Sequence, residues 1–365
     1  MMDMFKYHDT TLGMTYPGSG EIIQGAKRVM WVERYDEPGE LTIEAPLSSD
    51  LRQFLPAGVL IGRPDTSEVM VVENHEISQD NYEDSFLSIT GRSYISVLEN
   101  RLVGLIEARS SNAVTDITYV SDQTWNQIVT LISFSTNGAS ESDDEIPYID
   151  VYTDLPDSGG TSEERVINRG DVLTEVLNLL KIDNCGIRTV KNIPGLLRFE
   201  VYQGTDRSKN VIFSWTGEDL KSANYLLSNR KLKNCAMVVG RWVWRMVDGT
   251  QTGYDRRMML VDATDIDGHL ETMPTGGSLT TIQNKMTTRG RQALRKQRNI
   301  SLQSAELSNI TEYQYREDYF LGDIVMLEGD FNQQEQKRIS EYAETLDENG
   351  YSGHPTFRSL ADEVE

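Results

Sequence analysis

Residues 28–45 read RVMWVERYDEPGELTIEA, and they decide the fold class. The run 28–35 is dense in Val, Met, Trp and Tyr, the residues that fit a pleated, half-buried surface. Pro38-Gly39 follows, pairing a fixed φ with freedom for φ > 0, which predicts a type II turn. Beyond it Leu41, Ile43 and Ala45 alternate with Thr42 and Glu44, the period of two that marks a strand with one buried face. Outward from this hairpin the same reading recurs over 58–61, 69–77 and 86–89, each short and bounded by turn residues. Strands of this length and spacing predict a small antiparallel barrel or sandwich. A short helix over 94–102 closes it.

The middle of the chain changes period. Trp125, Ile128, Val129 and Ile132 stand at i, i+3, i+4 and i+7, one apolar helical face. A second helix is predicted after Asp171 as N-cap, with Val172, Leu173, Val176, Leu177 and Leu180 as its buried stripe and Gly186 near its stop. Between the two lies 135–165, polar, acidic and punctuated by Ser158-Gly159-Gly160. It reads as a long exposed loop interrupted by one strand over 148–152. Strands over 196–202 and 210–215 complete an α+β section. The last third returns to strands over 235–244 and 256–261, framing a hairpin through Asp248-Gly249. A basic helix over 278–297 follows, then strands over 300–307, 313–315 and 324–327 and a further hairpin arm over 336–345. The expected organisation is an N-terminal β-barrel domain over 1–105, an inserted α+β domain over 106–233, and a C-terminal β-barrel domain with one basic helix over 234–365.

Composition narrows the function. The 365 residues include 30 aromatics and are 38% hydrophobic, enough to build cores and to exclude wholesale disorder. No run approaches the ~18 apolar residues of a membrane span. Residues 1–11 lack the apolar segment of a signal peptide, so synthesis in a cytoplasm is expected. Two cysteines, Cys185 and Cys235, without a CxxC pair fit free thiols in a reducing compartment, with one disulfide between them as the alternative. The formal charge is −22, which repels nucleic acid and anionic membranes over most of the surface. Such a surface serves solubility, or lines a passage that DNA crosses without sticking.

Catalytic constellations are missing from the sequence. His8, His75, His269 and His354 have no second histidine at ligand spacing, and HExxH, GxSxG, the P-loop and GxGxxG do not occur. No cofactor is expected. Asp262, Asp265 and Asp267 before Gly268 resemble part of a calcium loop, but no Glu stands at the twelfth position, so a solvated hairpin end is expected. The basic helix carries Lys285, Arg289, Arg291, Arg295 and Lys296, a cationic island that suits a solvated face or an acidic patch on a neighbouring subunit. Trp242 and Trp244 are placed on one strand, two apart and so on one side, as core residues or interface anchors. Arg289, Arg291, Arg295, Lys296, Trp242 and Trp244 are the candidate interface residues; no catalytic or metal-binding residue is nominated.

Several segments, taken in order, resemble a known family. They are Trp31-Val32-Glu33-Arg34-Tyr35 with Pro38-Gly39-Glu40-Leu41 and Ala45-Pro46, then Gly58-Val59-Leu60-Ile61. Ile89-Thr90-Gly91-Arg92-Ser93 follows, with Leu98 and Arg101-Leu102. Further on come Asn224-Tyr225-Leu226, Asn234 to Gly240, Tyr319-Phe320-Leu321-Gly322-Asp323-Ile324-Val325 and Pro355-Thr356-Phe357. The ordered set resembles siphovirus minor tail proteins of the ReqiPepy type, a family similar to phage baseplate hubs and the VgrG hub. The resemblance implies a mainly β chain with an α+β insert: two tube-like antiparallel β-barrels plus a lateral α+β lobe. It implies a homotrimeric ring at the tail tip that adapts the tail tube and lets genomic DNA pass. Its implied partners are the distal tail protein ring, the tape-measure protein and other tail-tip or fibre proteins. The alternative is a receptor- or glycan-binding tail-tip module, with Tyr313 and Tyr315 as exposed stacking platforms.

Overall fold

Alternation of apolar and polar residues builds the first sheet. Its strands are β1 (Phe5–Tyr7), β2 (Glu21–Ile22), β3 (Arg28–Arg34), β4 (Glu40–Pro46), β5 (Leu60–Gly62), β6 (Val69–Ser78) and β7 (Phe86–Ser93), with the single-turn helix α1 (Leu51–Phe54) after β4. The computed structural model describes residues 4–7, 20–47, 50–78, 85–103, 117–136, 146, 149–156, 162–167, 170–193, 196–214, 217, 219–228, 232–268, 270–295, 300–307, 312–329 and 334–360. Every second residue of β4 is buried, and Leu41, Ile43 and Ala45 meet Val29, Trp31, Ile61, Met70, Val72, Leu87 and Ile89 in one apolar cluster. Pairing is antiparallel throughout, with Trp31 opposite Leu41, and Ile43 opposite Ile89.

The turn between β3 and β4 corrects the type II expectation. Gly39 does not take a positive φ. Glycine is needed there because a Cβ would stand 2.3 Å from the Val32 carbonyl oxygen. Gly39 N–H donates to Ser93 Oγ at 2.9 Å, and its carbonyl accepts from Ser93 N at 3.0 Å. Close approach, not handedness, is the constraint.

A 3₁₀ helix (Tyr94–Asn100) leaves this sheet. Then come β8 (Ile117–Gln123), α2 (Thr124–Thr136), β9 (Ile149–Thr153), β10 (Ser162–Ile167), α3 (Val172–Leu180), β11 (Gly186–Ile193), β12 (Leu196–Tyr202) and β13 (Ile212–Ser214). Asp171 caps α3 as expected, accepting from Thr174 N at 2.7 Å. The buried faces of α2 and α3 pack with the 3₁₀ helix and with Phe199 and Val201 of β12 in a second apolar cluster. The strand expected over 148–152 is β9, but the rest of 135–165 is not all exposed loop. Ser135 and Thr136 end α2 buried, Ile146 and Ile149 enter the core, β9 lies parallel to β12, and β10 pairs with β8.

The last third contains β14 (Leu220–Ser228), β15 (Cys235–Val239), β16 (Trp244–Val247), β17 (Met258–Asp262), the short α4 (Thr264–Asp267), α5 (Gly276–Arg295), β18 (Ile300–Leu307), β19 (Ile324–Glu328), β20 (Gln334–Asp347) and β21 (Gly350–Ser359). Strand β20 lies beside β3, with Ala343 opposite Val32. Strands from both ends of the chain therefore share one eleven-stranded sheet, running β13-β19-β20-β3-β4-β7-β6-β5-β1-β2 with β21 on β20. The fold is mainly β with an α+β component. This path is open at both ends, and no pairing among the described residues closes it into a barrel.

Two compact units result. One comprises Met1–Lys221 and Glu306–Phe357, the other Ser222–Ala305 and Arg358–Glu365. In the second unit β15 is central, antiparallel to β16 and parallel to β17. The expected hairpin through Asp248-Gly249 is thus replaced: the tight connection is 240–243, between β15 and β16, and the longer link carries the chain across to the far edge. Helix α5 covers one face through Ile282, Met286 and Leu294, four or eight residues apart. Gly290 on the same stripe lets helix and sheet approach, since a Cβ there would stand 2.7 Å from Val247 and 2.8 Å from Val238. Among the described residues no helix is long and apolar enough to cross a membrane.

Candidate assembly surfaces

Tyr35 pins three segments of the larger unit. Its hydroxyl donates to the Asn184 carbonyl at 2.8 Å and accepts from Gly204 N at 3.2 Å. Gly186 and Gly322 lie so close to its ring that a Cβ on either would stand within 2.3 Å of it. Gly322 also has φ +90°, a region that favours glycine. Asp323 beside it accepts from Thr205 N at 2.7 Å, Arg207 Nε at 2.6 Å and Phe320 N at 3.0 Å. The segment Leu321-Gly322-Asp323 is therefore a clasp between chain regions more than a hundred residues apart, beyond a simple hairpin turn.

A buried ionic network ties β3 to β20. The Arg63 guanidinium meets Glu344 at 2.5 Å, both almost wholly buried, and also pairs with Asp65. Arg316 reaches Glu33 at 2.9 Å, Asp65 at 3.0 Å and Glu344 at 3.1 Å. Glu33 further accepts from Trp31 Nε1, Thr66 Oγ1 and the Tyr315 hydroxyl. Burial pushes the Glu33 carboxyl up, but Arg316 and these donors outweigh it, and its pKa lies below the ordinary glutamate value. Nearby Glu68 goes the other way: burial and the Glu33 charge push it up to about 8. Tyr313 and Tyr315 are not free platforms. Tyr315 stacks on Tyr342 with ring centres 3.7 Å apart, and Tyr313 packs edge-on against Phe213 at 5.4 Å.

The smaller unit holds the nominated interface residues. Trp242 and Trp244 do not share a strand. Trp242 lies in the 240–243 connection, half-buried, donating from Nε1 to the Leu270 carbonyl at 3.0 Å. Trp244 begins β16 and is 60% exposed. The connection is organised by Asp267, fully buried, whose carboxylate accepts from the N–H groups of Arg241 at 2.6 Å, Trp242 at 2.8 Å and Val243 at 3.0 Å. Burial pulls its pKa up and the three amides pull it down further, leaving it below the ordinary aspartate value. A solvated hairpin end is thus overturned for Asp267. The sequence shows the carboxylates but not the amides that converge on them, so this anchor was not legible. Among the described residues no group of His, Cys, Asp and Glu could hold a metal ion.

On α5, Arg289 pairs in bidentate fashion with Asp265 of α4, and Arg291 lies 3.9 Å from Asp248. At least one of the nominated cations is therefore satisfied within its own unit. Arg295 is the last helical residue; its side chain and Lys296 lie outside the described residues, as do His8 and His269. Cys185 and Cys235 are free and buried. Burial pushes the Cys185 thiol up to about 12, which makes it unreactive at neutral pH.

Residues 19–357 match the family described as Siphovirus ReqiPepy6 Gp37-like protein. The chain belongs to that family. The Gp37-like fold is similar to solved tail proteins over its whole length. The 43 kDa tail protein of prophage MuSo2 from Shewanella oneidensis shares 12% identity, with a TM-score of 0.63 over 100% of this chain and 99% of that one. A tail protein from Neisseria meningitidis MC58 shares 9% at 0.56, over 100% and 99%. The prophage tail protein gp18 from Listeria monocytogenes EGD-e shares 11% at 0.54, over 97% and 94%. At these identities the likeness is one of fold. A search of curated protein sequences found no match.

Proposed function

We propose that this Gp37-like chain is a structural hub subunit of a phage tail tip, three copies of which close a ring that joins the tail tube to the tip and lets DNA pass. What carries the reading is the end-to-end match in fold to the MuSo2 tail protein combined with membership of a siphovirus family. The protein acts through surfaces rather than through chemistry. Its working residues are those that hold strands in register, the Tyr35 clasp and the Arg63–Glu344–Arg316–Glu33 network, and those that meet neighbours. The ring's other contacts are the distal tail protein, the tape-measure protein and fibre proteins, and the subunit is made in the host cytoplasm before it enters the virion. The net charge of −22 favours an acidic or neutral lumen, since a basic wall would hold the duplex by counterion release. In this arrangement α5 lies away from the lumen, and its exposed Lys285 and Arg291 meet acidic residues of a neighbour.

Sedimentation equilibrium of the full chain tests the ring. The expected species has three times the 41.3 kDa chain mass. A strict monomer, both in solution and in the particle, refutes the ring.

A further inference from the structure

The β16-β15-β17 sheet has two faces, and α5 covers only one. The strand register assigns the other. Met237, Met246 and Leu260 stand abreast on it, as do Val239, Trp244 and Asp262, with Met258 beside them. Leu260 is 71% exposed, Trp244 60% and Met258 46%. A monomer seldom leaves a contiguous apolar face open, and a face of Met, Leu and Trp is what the centre of a protein interface contains. No lysine or arginine lies at these register positions.

Charge says what kind of partner fits. Residues 222–305, the bulk of the smaller unit, hold 13 Lys and Arg against 6 Asp and Glu. With its second segment, 358–365, the smaller unit holds 14 against 9 and the larger unit 21 against 48, so a chain of net charge −22 contains one net cationic unit and one strongly anionic one. Two cationic units placed face to face would repel. The anionic unit, in contrast, is complementary to the cationic one and is present in every copy. A contact between unlike patches of identical chains is heterologous, and such contacts close into rings when the rotation allows.

We infer that the α5-free face, centred on Leu260, Trp244 and Met258, docks on the acidic larger unit of a second copy of this chain, with rim cations such as Arg241 and Arg256 steering the approach. The inference rests on the ring reading and names the surface that makes the ring. Nucleic acid is disfavoured as occupant because the face itself is apolar and carries Asp262, which suits the centre of a protein contact rather than a row of phosphates.

The test uses the full-length protein. Leu260→Asp, at a position exposed enough to leave the fold intact by circular dichroism, should weaken self-association by about tenfold or more. Raising NaCl from 0.05 to 0.5 M should weaken wild-type association as well, because the steering charges are screened. In a mixture of isotope-labelled and unlabelled copies, p-benzoylphenylalanine in place of Leu260 should cross-link between chains onto residues 4–221 or 306–357. Inter-chain cross-links confined to residues 235–262 would mean sheet-on-sheet contact and overturn the inference. So would cross-linking to an added 20-base-pair duplex in preference to protein. An oligomer unaffected by Leu260→Asp overturns the docking face and leaves the ring standing; a wild-type monomer removes both.

Discussion

Asp267→Ala should unfasten the smaller unit locally. The carboxylate is fully buried and receives three backbone N–H groups at 2.6, 2.8 and 3.0 Å. A hydrogen bond to a charged acceptor contributes about 1.5–3 kcal/mol, and a donor stranded without a partner costs about 1–3 kcal/mol. Three donors sharing one acceptor do not add fully, and the opened connection admits water to some of them, so about 3–5 kcal/mol is expected. Asp267→Asn keeps the shape and can still accept from Trp242 and Val243, but it loses the charge and turns its Nδ2 donor toward the Arg241 amide, so it should cost less than Asp267→Ala. Gly240 leaves no room for compensation, because a Cβ there would stand 2.5 Å from Asp267 Oδ1 and 2.6 Å from Met286. The depressed pKa gives the pH sense: the stabilisation is complete above the ordinary value of 3.8 and is lost as pH falls through the lower folded value. Two units need not unfold together, so hydrogen exchange is the suitable assay. The amides of 241–243 should lose protection by two orders of magnitude or more, roughly the exchange equivalent of 3 kcal/mol. Unchanged protection at these three amides in Asp267→Ala would refute the anchoring role.

Other perturbations address the larger unit. Gly39→Val should destabilise it by about 2 kcal/mol or more, through collision with the Val32 carbonyl; an unchanged melting temperature would show that the β3–β4 turn can open without cost. Arg63→Met leaves Glu344 buried with only Arg316 and the Tyr351 hydroxyl, and should cost about 3 kcal/mol; a variant as stable as wild type in urea would show that Arg316 alone neutralises the site. Glu68 has a folded pKa raised from 4.5 to about 8, so its contribution is complete below pH 4.5 and is lost as pH rises through 8. Wild-type thermal stability should accordingly fall more between pH 5 and 8.5 than that of Glu68→Gln, and parallel pH profiles would remove Glu68 as the cause.

What was legible in the sequence follows the range of the interactions. β4 and α3 show their periods within a few residues, and Asp171 caps α3 through a bond only three residues long, so these elements are visible locally. The ordered segments of the family resemblance were legible for the same reason. Their mechanical meaning was not. Leu321-Gly322-Asp323 looks like turn chemistry until Tyr35 and Arg207 are brought to it. Gly39 was read through the freedom of glycine, although the space beside Val32 sets the requirement. The order β16-β15-β17 escaped because a parallel neighbour and a hairpin neighbour have the same alternation. Among the candidate residues, Trp244 lies exposed at the start of β16, Trp242 and Arg289 are engaged within their own unit, and Asp267 was missed because its partners lie 24 to 26 residues away.

The pairing of β20 with β3 also bears on how the protein is made. Residues 28–34 leave the ribosome roughly three hundred residues before their neighbours at 341–346, and a long closure of this kind is slow. Until then Trp31 and Glu33 sit on an unpaired edge, with Arg316 and Glu344 still to be translated. A chain that stops short of β20 cannot cover that edge, and exposed edges of this sort invite aggregation or capture by chaperones. The pairing of β20 with β3 therefore couples the first-made strands of the sheet to the last-made ones.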